Sequence, residues 1–104
     1  MRHGRYILIG QTPVPEPSLS KWGEWMEHGD RVVAQTEIPG GMISTVFLGL
    51  DHQFSMNPAA PPMLFETMVF LDGEGTDCER CATWLEAEMQ HAATVQEWLA
   101  KLAR

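Results

Sequence analysis

Four groups of side chains in this sequence are of types that could do chemistry. Cys78-Glu79-Arg80-Cys81 has CxxC spacing, which can supply half of a zinc site or act as a redox pair. His52 or His91 would have to complete a metal site, because the sequence holds no second CxxC and no HxxxH. Asp77 and Glu79 flank the first thiol, and nearby carboxylates raise a thiol pKa rather than activate it. Cys78 and Cys81 are therefore weak metal candidates, and no cofactor is implied.

Asp51-His52 has the composition of an acid–base pair, yet neighbouring strand residues point to opposite faces. At a strand end, Asp51 is expected to cap a turn and His52 to bond backbone. Glu66 interrupts the apolar run Leu64 to Phe70, so a carboxylate buried there would need a partner such as His52, Arg31 or Thr45. If His52, Glu66 and His91 converged in one cleft they would form a general acid/base site, the basis for a small hydrolase or metal-dependent enzyme. The favoured reading is a structural polar network at the sheet edge. Ser44 and Ser55 sit in no nucleophile motif, and Gly40-Gly41 reads as a hairpin turn rather than a phosphate loop.

The fourth group is Trp84, His91 and Trp98, which recur every seven residues near Glu88 and Glu97. Exposed, these five residues would make an interaction patch; buried, the tryptophans would widen the core contact.

The elements that must position these groups can be read from periodicity. Ser44 to His52 and Leu64 to Phe70 are two β-prone apolar runs, expected to pair at the centre of a sheet. The first is apolar on both faces, which predicts that both are covered. Before them, Tyr6 to Ile9 and Pro13 to Pro15 fit a small hairpin, which the prolines keep out of any central position. Ser18 is an N-cap for a short helix over Leu19 to His28, ended by Gly29. Arg31 to Ile38 alternates as a half-buried strand, with Val32, Ala34, Thr36 and Ile38 on one side.

Residues 51 to 62 carry Pro58, Pro61 and Pro62 and read as a loop. Asp72 to Gly75 reads as an acidic turn, with irregular chain up to Arg80. Thr83 and Glu86 have capping-box spacing for a helix running to about Leu102. Leu85, Met89, Ala92, Val95, Leu99 and Leu102 form its apolar stripe, expected to lie on the sheet. The order predicts one α+β domain over residues 1–104. Its antiparallel sheet has three to five strands, with a long C-terminal and a short N-terminal helix packed on it.

A chain of 104 residues is one core's worth of protein, and 44% hydrophobic content with four Trp is not that of a disordered chain. No run approaches a bilayer span, and the start lacks a signal-type apolar region, so the chain reads as cytoplasmic with no membrane partner. Fourteen acids against seven bases give a formal charge of -7, which disfavours direct nucleic-acid binding and permits docking on a basic surface.

Tyr6, Pro13 to Pro17, Trp22, Trp25, Arg31 to Thr36, Ser44 to His52, Leu64 to Phe70 and Thr83-Trp84 through His91 resemble a family of small uncharacterised bacteriophage and prophage proteins. Ser44 to His52 and Leu64 to Phe70 are the most specific segments. The resemblance implies a compact phage accessory protein acting in the host cytoplasm, and it implies no reaction. Family members tend to carry a tyrosine where this chain has Cys81, which argues against a functional Cys78–Cys81 pair. The resulting expectation is a protein-binding module, in its most concrete form an inhibitor of a host defence or nucleic-acid-binding protein. The alternatives are the small enzyme above and a homodimeric structural or regulatory module.

Overall fold

The computed structural model describes residues 4–51 and 59–104 and has α+β architecture. Strand β1 (Tyr6–Ile9) turns into β2 (Thr12–Pro15) as a two-stranded antiparallel hairpin. Helix α1 (Leu19–His28) follows, and its Ser18 N-cap accepts from Lys21 N as its sequence position predicts. A four-stranded antiparallel meander then runs β3 (Val32–Ile38), β4 (Gly41–Phe47), β5 (Phe65–Leu71) and β6 (Glu74–Cys81). Helix α2 (Trp84–Leu102) closes the fold, started by the capping box of Thr83 and Glu86.

The two central runs do pair, from Gly41 against Leu71 to Phe47 against Phe65, but β4 ends at Phe47, so Leu48 to Asp51 leave the sheet and His52 lies outside the described residues. Gly41 is required here, since a Cβ at this position would sit 1.8 Å from the Phe70 carbonyl oxygen. Strand β6 corrects the expectation of irregular chain before Arg80. Its sequence, EGTDCERC, lacks apolar alternation because six of its eight residues are exposed at the sheet edge, where charged side chains also deter further pairing.

Among the described residues, the helices pack on one face of this sheet and no element packs on the other. Ile43, Thr45 and Phe47 from β4 and Phe65, Thr67 and Val69 from β5 are buried beneath α2. Near one end Phe47 stacks obliquely on Phe65, with Trp25 of α1 and Trp84 of α2 edge-on to the pair. Leu8 of the hairpin and Ala87 complete that cluster, while Ile38, Ile43 and Val69 form a second one with Val95 and Trp98. A register shift between Val32 and Ala34 puts Val33 with the core and leaves Val32 43% exposed, so the predicted alternation of β3 breaks at its start.

Chain 49–51 ties the hairpin to the sheet: Tyr6 N donates to Gly49 O and Asp51 N to Gly4 O. Trp22 Nε1 of α1 donates to the same Gly49 carbonyl at 2.9 Å. Gly49 has φ +73, a conformation that favours glycine, and a Cβ there would lie 2.5 Å from Met26 Sδ, so the flexible end of that methionine would also have to shift. Among the described residues no helix is long and apolar enough to cross a membrane.

Candidate functional site

The structure separates the residues that would have made an acid/base site. His91 is on the sheet side of α2 and only 6% exposed. Glu66 points from the opposite face of β5, where its carboxylate accepts from Arg80 Nε at 2.9 Å. Arg80 is the cross-strand neighbour of Glu66, a partner hidden from sequence reasoning because β6 itself was not read as a strand. His52 lies outside the described residues. Glu66 and His91 therefore share no cleft, and the enzyme reading loses its geometry.

The CxxC pair is also split. Three residues along a strand reverse the side-chain direction, so Cys78 is exposed on the open face while Cys81 is buried in the core. Both thiols are held back from ionising. Partial desolvation pushes Cys78 up, reinforced by a hydrogen bond to Glu66. Burial first, then Glu86 and Glu79, push Cys81 up to about 11. Among the described residues no three His, Cys, Asp or Glu side chains are grouped to hold a metal ion.

His91 instead anchors a chain of hydrogen bonds through the helix–sheet interface. Its Nε2 lies 2.8 Å from Thr36 Oγ1 and its Nδ1 2.8 Å from Thr45 Oγ1. Thr45 Oγ1 is 2.7 Å from Thr67 Oγ1, which donates to Gln90 Oε1 at 3.0 Å. Gln90 Nε2 donates to Arg80 O, which fixes the amide orientation. The proton positions follow by elimination. Thr67 spends its hydrogen on Gln90, so Thr45 must donate to Thr67. Thr45 has then spent its own, so His91 Nδ1 must donate to Thr45, and Nε2 accepts from Thr36. His91 is neutral in this arrangement, and burial lowers its pKa below the ordinary histidine value.

This network has no carboxylate, no nucleophile beyond hydroxyls, and no opening to solvent at its centre, since Thr45 and Thr67 are 0% and 1% exposed. It orders the fold. Its signal in the sequence was three threonines on apolar strands, at positions that pair through Thr36 with Ile43 and Thr45 with Thr67. Trp84 and Trp98 also face the sheet, in the two core clusters, whereas Glu88 and Glu97 face solvent. The five residues of the expected patch thus divide between interior and surface.

What remains as a site is the uncovered sheet face. Three cross-strand rungs define it: Val32–Val46–Glu66–Arg80, Gln35–Ser44–Met68–Cys78 and Glu37–Met42–Phe70–Gly75. Val32, Met42, Val46, Met68 and Phe70 give it an apolar middle, with Gln35, Glu37 and the Glu66–Arg80 pair around them. The expectation that both faces of β4 are covered is met on one side only among the described residues: α2 and α1 pack there, while on the other face Ser44 is buried, Met42, Val46, Met68 and Phe70 are half-buried and Val32 is exposed. The adjoining β5–β6 turn adds exposed Asp72 and Glu74, while Asp77 and Glu79, paired with Val69 and Thr67, lie along the β6 edge on the helix side. An antiparallel sheet facing water usually carries polar residues on that side, so an apolar middle there marks a contact surface. Comparisons with protein-family models, with curated proteins and with solved structures find no match to this chain.

Proposed function

We propose that this chain is a small acidic accessory protein of phage type that works by binding another protein through its open sheet face. One observation carries the reading: five large apolar side chains adjoin across three strands of a face that no described element covers. Two of them are methionines, whose unbranched, polarisable side chains adapt to a partner's contour. The partner that suits this surface presents an apolar patch with basic residues around it. Glu37 borders the face, Asp72, Glu74, Asp77 and Glu79 follow one edge, and the whole chain carries -7. A host protein that ordinarily holds nucleic acid has such a surface, and occupying it would inhibit that protein.

The test is capture from a bacterial host lysate with the wild-type chain and with Met68→Glu, which places a charge at the centre of the middle rung. A protein retained by the wild type is expected to be lost with Met68→Glu, and its purified form to bind more weakly as salt rises. Equal recovery by both chains, or affinity indifferent to salt, overturns the reading.

A further inference from the structure

Helix α2 buries one side of its circumference and carries a second apolar stripe on the other. The inward side holds Trp84, Ala87, His91, Thr94, Val95 and Trp98. About 130° round the helix from that side, at about 100° per residue, come Leu85, Met89, Ala92, Gln96, Leu99 and Ala103, all exposed. Leu85 is 66% exposed, Met89 64% and Leu99 43%. No charged residue falls in the sector of about 80° between Leu99 and Met89, although Glu88 borders it and Glu86, Glu97 and Lys101 lie further round. The spacing alternates four and three residues, the repeat by which one helix meets another as a coiled coil. A solvated helix face normally concentrates charge; this one excludes it.

We propose that this stripe docks on the same stripe of a second copy of the chain, with the two α2 helices antiparallel. Three features select that occupant and that direction. In the antiparallel register Leu85 meets Ala103 and Met89 meets Leu99 of the other copy, so large residues face smaller or complementary ones. Ala92 and Gln96 meet near the two-fold axis, with Ala93 beside them, and small residues there let the helices approach closely. Arg104, two residues past the end of α2, extends its last turn about five turns beyond Glu86 on the same flank, so each Glu86 comes near the other copy's Arg104. Parallel pairing would instead turn the two Glu86 residues to opposite flanks, with no Arg104 in reach of either.

The contact is one helix of 19 residues, about 28 Å long. A single helix pair of that length buries less than the roughly 1,200 Å² of a stable complex. The dimer is therefore concentration-dependent and exchanges freely with monomer. It uses the face of the molecule away from the open sheet and leaves that sheet free for a partner.

Sedimentation equilibrium between about 1 μM and about 1 mM tests this directly. The mass is expected to rise from 11.7 kDa towards twice that value with concentration. Met89→Glu should weaken the association at least about tenfold, a fold-change within the range a single interface side chain commonly commands. Leu85→Lys serves as a second variant, and circular dichroism confirms that each stays folded. Adding Leu99→Lys to Met89→Glu should restore association, because only the antiparallel register sets the introduced ammonium against the introduced carboxylate. Arg104→Glu should weaken it by about two- to fivefold at low salt, as a rim ion pair would. A mass constant at the monomer value, association unchanged in Met89→Glu, or no recovery in the double variant overturns the proposal. Met68→Glu on the open sheet should leave the mass unaltered, and dissociation by that substitution alone would also overturn it.

Discussion

The sharpest check on the interface network is Thr45→Val, which removes one hydroxyl and keeps the side-chain shape. Thr45 is 0% exposed, and its oxygen accepts from His91 Nδ1 and donates to Thr67. Without it, the His91 N–H faces a methyl group and Thr67 loses the donor it accepts from. A buried donor stripped of its partner costs about 1–3 kcal/mol. His91 has one escape: moving its proton to Nε2, so that it donates to Thr36 and leaves only an acceptor unpaired. That relief places the expected loss near the middle of the range, about 2 kcal/mol. For a chain of 104 residues this lowers the midpoint of thermal unfolding by about 8–16 °C. The assay is urea and thermal unfolding followed by tryptophan fluorescence, since Trp25 and Trp84 pack directly on Phe47 and Phe65. Combining Thr45→Val with His91→Leu removes both partners, and the second change should then cost less than it does alone, by at least about 1 kcal/mol of coupling. Strictly additive losses, or a Thr45→Val protein as stable as the wild type, would refute the assigned chain of donors and acceptors.

Other predictions follow from the same geometry. Burial lowers the folded-state pKa of His91, so below the ordinary value of about 6.5 the unfolded chain takes a proton that the folded chain refuses. Stability should therefore fall as the pH drops from about 6.5, by at most about 1.4 kcal/mol per pH unit, and urea titrations of His91→Leu should lack that part of the fall. Glu66→Gln removes a hydrogen bond and a charge that hold Cys78 up, so alkylation of Cys78 at mildly alkaline pH should accelerate, while Cys81 stays unreactive until the chain unfolds. Gly49→Ala should destabilise by about 1–3 kcal/mol through its left-handed backbone and its clash with Met26, read as a lowered urea midpoint. Thr83→Ala should cost about 1 kcal/mol by opening the capping box of α2, measured in the same way.

Local rules made much of this fold legible. Ser18 and Thr83 announced both helix starts, and the central pair β4–β5 followed from two apolar, β-prone runs. Strand β6 was hidden because an exposed edge strand needs no apolar alternation, and with it went the Glu66–Arg80 pair. The start of β3 misled because one extra residue at its bulge exchanges the directions of Val32 and Val33. As for the site, the candidates Glu66 and His91 were each polar residues in apolar surroundings, but the register of β5 turns Glu66 to the face away from α2, whereas His91 reaches the sheet from α2 on the other side.

Helix α2 presented the hardest choice, because its sequence offers two apolar faces and only one can meet the sheet. Hydrophobic periodicity favours Leu85, Met89, Ala92, Val95, Leu99 and Leu102, yet of these only Val95 packs on the core and the other five are exposed. Polar satisfaction decides the matter. The sheet surface beneath the helix carries Thr36, Thr45 and Thr67, and Thr45 and Thr67 are completely enclosed once any helix covers them. Docked through the leucine stripe, the helix would bring them Gln96 and the charged Glu88 but no imidazole to join Thr36 to Thr45, at about 1–3 kcal/mol for each hydroxyl left unmatched. Docked as observed, it delivers His91 and Gln90 to the threonines and packs two indole rings on the core, with Trp98 Nε1 buried and unpartnered among the described residues. The same choice that satisfies the interior turns the leucines outward, so the stripe proposed to join two copies of α2 is a direct consequence of the hydroxyls underneath it.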